Sequence, residues 1–99
     1  MTAVDTKGAK RSRPPVTEQE DWDTVLRPWL ESAADSLDVA GVDLDVDRVH
    51  RMTAVVADGV QRSMAPISAF LVGAAVARGA SLETACRAVE ETLSSRTHP

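Results

Sequence analysis

Apolar residues recur at i, i+3, i+4 and i+7 in three stretches of the chain, and between the second and third lies a segment with almost no polar side. Trp22, Val25, Leu26, Trp29, Leu30, Ala33 and Leu37 make the first stripe. Val46, Val49, Met52, Val56 and Val60 make the second, and Leu82, Ala85, Cys86, Val89 and Leu93 the last. From Ala65 to Ala77 only Ser68 has a polar side chain. No segment alternates apolar and polar residues between hairpin turns. The pattern therefore predicts an all-α fold, a four-helix bundle.

Boundary residues sharpen that reading. "TEQE" at 17–20 is a capping box, which places the start of the first helix at Thr17. Pro28 falls inside the first stripe and removes the bond to the Thr24 carbonyl, so one kinked helix is expected. The connection 38–47 ends at Asp45, the expected N-cap of a second helix that runs to about Arg62. Pro66 suits the first turn of the third helix, Gly79 its stop, and Ser81 the cap of the fourth. The helical domain is expected over 17–96. Residues 1–16, with Pro14-Pro15, are expected to form a disordered basic arm, and 97–99 to fray.

A helix apolar all round must be buried all round, so residues 66–78 are expected to run through the centre of the bundle. Ala69, Gly73 and Ala77 lie four apart and would form a small ridge for close approach of a neighbour. About 80 residues can only just enclose such a helix. The alternative is that a second copy or another protein completes one face. The apolar run is shorter than the ~20 residues that cross a bilayer, so no membrane span is expected.

Charge is divided unevenly in this 99-residue chain of net charge −4. Residues 1–16 carry Lys7, Lys10, Arg11 and Arg13 against Asp5, while residues 17–99 carry fourteen acids against seven arginines. An acidic body opposes nonspecific nucleic-acid binding, and no nucleic-acid partner is expected. With three aromatics, most of the interior must be built from aliphatic and alanine contacts. One cysteine, Cys86, forms no internal disulfide and fits a cytoplasmic protein. No apolar stretch follows the basic N-terminus, so no signal peptide is expected.

Candidate chemistry is thin. "DLDVD" resembles the start of a calcium loop, but the positions that need Gly and Glu hold Arg48 and Ala54, so no metal is expected. His50 has no nucleophile spaced to work with it, and Cys86 belongs to a buried stripe. Residues 75–89 imitate a helix-turn-helix, yet Glu83, Glu90 and Glu91 would be repelled by DNA phosphates. Glu83 and Arg87 stand four apart on the outer face of the last helix, and Asp58 and Arg62 four apart beside the 63–66 turn. No catalytic residues and no cofactor are expected.

Residues 56–76, "VADGVQRSMAPISAFLVGAAV", resemble the signature of a small bacterial helical domain of unknown function, found alone or fused to molybdenum-cofactor guanylyltransferase proteins. Arg62, Pro66, Phe70, Leu71 and Gly73 fall in register with it, as do Trp29-Leu30 and the entry at 44–47. Two positions depart: the family's usual His is Asp58 here, and its Pro after the Arg is Ser63. The resemblance implies a link to molybdopterin guanine dinucleotide biosynthesis or insertion, without transferase activity. The expectation is a non-enzymatic accessory module that docks a protein of that pathway at Asp58, Arg62, Ser63 and Pro66. The alternatives are a homodimeric structural module and a binder of a small anionic ligand at Arg62.

Overall fold

The computed structural model describes residues 14–96; most of the expected disordered arm, residues 1–13, and the frayed end, 97–99, lie outside the described residues. The described chain is all-α, with four helices and no strand. It divides into two compact units, one ending at Val42 and one beginning at Asp43.

The first unit opens with a short 3-10 turn, Val16–Glu18, where the capping box predicted the start of the first helix. The helix itself begins later, as a π-helical turn, Trp22–Leu26, that runs into an α-helix, Arg27–Ser36; together they are α1. Pro28 explains the widened turn. It has no N–H and its ring collides with a carbonyl four residues back, so the bonds just before it span five residues. The amides of Leu26 and Arg27 accordingly donate to the carbonyls of Asp21 and Trp22. At the other end the Val39 amide donates to the Ala34 carbonyl and the Asp38 amide to that of Asp35, closing a Schellman motif. Asp38 takes the left-handed position that this motif requires, at φ +61°. The apolar stripe of α1 is present but unburied: none of its residues is buried, and Trp29 is 67% exposed.

The second unit contains α2 (Val46–Gly59), α3 (Met64–Ala77) and α4 (Leu82–Arg96), each packed against the other two. The boundaries follow the expected signals. The Asp45 carboxylate accepts from the Arg48 amide at 3.1 Å, and the Ser81 hydroxyl accepts from the Thr84 amide at 3.1 Å. Gly79, at φ +111°, ends α3 in a second Schellman motif, in which Ala80 donates to the Ala75 carbonyl and Gly79 to that of Val76. Met52 and Val56 of α2, Val72 of α3, and Ala85, Cys86 and Leu93 of α4 form the core. Cys86 fills space there as a small apolar residue, fully out of solvent. Among the described residues no aromatic side chain is buried, and aliphatic and alanine contacts build the interior. Val60, expected on the inner stripe of α2, lies past the helix end and is exposed.

The enclosure of α3 needs correction. Only Ser68 and Val72 of this helix are buried, and Ser68 satisfies its hydroxyl by donating to the Ala65 carbonyl at 2.7 Å. The physical reason is geometric: α2 and α4 each present one narrow stripe, which is enough for one face of α3. The ridge of small residues is not a seat for a neighbouring helix either. A Cβ built on Gly73 would meet nothing within 4 Å. The close approach occurs instead at Gly59, whose added Cβ would lie 3.2 Å from Leu93.

These surroundings set the outcome of a simple substitution. Gly73→Ala relieves the conformational freedom of an exposed mid-helix glycine and should stabilise the dilute chain by about 1 kcal/mol. Denaturant unfolding reads this directly. A loss of stability would mean that a neighbour does sit against Gly73.

Candidate functional site

Two features stand out in the second unit: a charged clamp inside it and an uncovered apolar face on its surface. The clamp starts from Arg48, one turn before Met52 on the inner side of α2, with its side chain 7% exposed. A guanidinium there must be fully paired, since an uncompensated buried charge is costly. Two carboxylates from α4 meet that demand. Arg48 donates to Glu90 through Nη1 at 2.8 Å and Nη2 at 2.9 Å, a two-pronged contact. It donates through Nε to Glu83 at 2.6 Å. Glu83 also accepts from Arg87 at 3.1 Å, the expected pair four residues apart. Glu83 and Glu90 are seven apart, two turns of one helix face, and Cys86 lies between them in the sequence.

The clamp shapes the titration of its members. Hydrogen bonds from Arg48 are the largest cause holding the Glu90 carboxyl below its ordinary value, and Arg48 followed by Arg87 does the same for Glu83. Burial pushes the Cys86 thiol up, against the opposing pull of nearby Arg48. The cysteine is thus held protonated and apolar.

The uncovered face belongs to α3. Phe70 is 74% exposed, Leu71 59%, Ile67 50% and Met64 41%. The helix carries no charged residue from Met64 to Ala77. Large apolar groups scattered singly on a surface need no explanation, but four on one short uncharged helix form a contiguous patch of the kind that marks an interaction site. No helix among the described residues is long and apolar enough to cross a membrane.

The four residues singled out in the sequence fall at one corner, between α2 and α3. Asp58 lies in the last turn of α2, Arg62 and Ser63 in the connecting turn, and Pro66 in the first turn of α3. All four are exposed. Among the described residues no ion pair joins Asp58 to Arg62, and the Ser63 side chain makes no capping bond to α3. Local sequence alone brings these residues together. Arg48, Glu83 and Glu90 each drew notice in the sequence for another reason, but their pairing across two helices did not, although a signal was there. Arg48 keeps step with Met52, and Glu83 and Glu90 flank Cys86, so opposite charges border the inner stripes of two helices.

What these features define is an all-α domain with an internally paired charge cluster and one bare apolar helix face. A family model described as Domain of unknown function (DUF6457) matches residues 21–98. The chain belongs to that family. No curated protein and no solved structure matches it.

Two outcomes test the clamp. Arg48→Ala removes the buried partner of two carboxylates that themselves reach solvent and should lower stability in denaturant unfolding, while Arg48→Lys, lacking the planar fork, restores only part of it. A change within error for Arg48→Ala would show the clamp to be ornamental. The acid limb is the second. Glu83 and Glu90 have depressed values in the folded chain, so the unfolded chain binds more protons near their ordinary value of 4.5. The stability they contribute is therefore complete above that pH and is lost as pH falls through their folded values. Glu90→Gln should lower stability at pH 7 and flatten this acid limb, measured by unfolding midpoints between pH 7 and pH 2.

Proposed function

We propose that this domain is a non-enzymatic accessory module that docks a protein partner through the bare face of α3. The observation that carries the reading is the exposure of Phe70, Leu71, Ile67 and Met64 on a helix without a charged residue. Such a face is stabilised by covering it, at about 25 cal/mol for each Å² of apolar surface removed from water. Arg62, Asp58 and Ser63 supply polar groups at its N-terminal end, beside Pro66, and so give the docked partner an orientation as well as an anchor. The clamp and core keep α2 and α4 behind α3, which holds the face preformed.

The partner is a protein of molybdopterin guanine dinucleotide biosynthesis or insertion. Support for this comes from the resemblance of residues 56–76 to extensions of molybdenum-cofactor guanylyltransferase proteins. A chain that serves as such an extension need bring no nucleotide site of its own; it brings a surface.

Affinity capture from the native host with the full chain, followed by mass spectrometry, tests the reading. The wild-type chain should recover a protein of this pathway. Phe70→Glu should lose it, Arg62→Glu should weaken it, and Ala54→Glu, at an exposed position of α2, should leave it unchanged. Recovery of the same protein by the Phe70→Glu chain would refute docking through α3.

A further inference from the structure

We infer that the bare face of α3 also pairs with the same face of a second copy of this chain, the two helices running antiparallel. This rests on the docking face proposed above and specifies one occupant for it. Three observations point there.

The first is spacing. Ile67, Phe70, Ala74 and Ala77 are exposed and follow one another at intervals of three, four and three residues. That is the seam of a helix pair, one stripe along one side. Leu71 borders it.

The second is the gradient of size along the seam. Its N-terminal half carries Ile67 and Phe70, and its C-terminal half Ala74 and Ala77. A two-fold axis across the helix sets the large half of one copy against the small half of the other, Phe70 opposite Ala74 and Ile67 opposite Ala77. Large side chains then enter the space that small ones leave, in both directions at once. A parallel pair would crowd phenylalanine on phenylalanine and leave a gap between the alanines. An isologous interface must be complementary to itself, and this seam is so in the antiparallel sense.

The third is charge. Like charges across a two-fold axis repel, and α3 has none. The chain from Asp43 onward carries seven acids and six arginines, so two copies of this unit approach with little net repulsion. Stable association needs about 600 Å² from each copy. Phe70, Leu71, Ile67 and Met64, with the exposed Ala74 and Ala77 further along, are the apolar surface α3 offers toward it.

Sedimentation velocity of the full chain from about one to several hundred micromolar is the test. The expected result is a monomer–dimer equilibrium that Phe70→Glu weakens at least tenfold, with helicity by circular dichroism unchanged. Ala74→Phe should weaken it to a similar degree by colliding with Phe70 of the second copy. The combined Phe70→Ala and Ala74→Phe chain should recover it, since large and small are merely exchanged. A chain that stays monomeric throughout overturns the second copy, and the capture experiment then still decides whether the face docks another protein. A dimer indifferent to both Phe70→Glu and Ala74→Phe overturns the pairing as well. A dimer that Phe70→Glu breaks but Ala74→Phe leaves intact overturns the antiparallel arrangement.

Discussion

A helix of fourteen residues without an ionisable side chain needs cover on every side, and α2 and α4 supply it on one. That mismatch organises the second unit. Burial of Val72, Ser68 and the half-buried Ala75 and Val76 against the two neighbours fixes α3 in place. The same geometry leaves Phe70 and Leu71 largely in water, where an aromatic ring and a leucine contribute little to the fold. Large apolar residues at exposed positions cost solubility, and an uncovered patch of them is the kind of surface on which the proposed docking relies.

The small core makes the Arg48 clamp more consequential than an ion pair of a larger protein. Only six apolar residues are buried among those described, and the interior has no aromatic ring to supply area. Directional bonds from one guanidinium to two carboxylates add what close packing provides elsewhere: they set the rotation of α4 about its axis relative to α2. Whether such a cluster adds net stability over an apolar replacement is a separate matter, because desolvation offsets much of the attraction. Its contribution to specificity is clearer. A rotated α4 would leave Arg48 in the interior without a partner.

Much of this fold is legible in the sequence wherever one residue type meets one backbone need. Asp45 and Ser81 cap their helices, and Gly79 takes the left-handed turn, because those demands are local. The start of α1 misled for a related reason: the capping box at 17–20 is a local signal, but Pro28 imposed a widened turn further along and the helix formed only from Trp22. Asp38 had no glycine to announce its left-handed turn. The exposure of α3 was legible only in half. The sequence shows that the helix is apolar on all sides, but how many neighbours surround it depends on packing between distant residues. The clamp joins positions 35 and 42 residues apart, and no local pattern reports such a distance.

The docking account stands on the state of one helix face, and oxidative labelling of the dilute chain examines it most directly. Hydroxyl radicals generated for microseconds modify side chains in proportion to their contact with water. Phe70 should be labelled nearly as rapidly as in the unfolded chain and Met64 more slowly but readily, while Met52 in the core stays protected. If Phe70 proves as protected as Met52 in a monomeric chain, the face is already covered from within and cannot be where a partner docks.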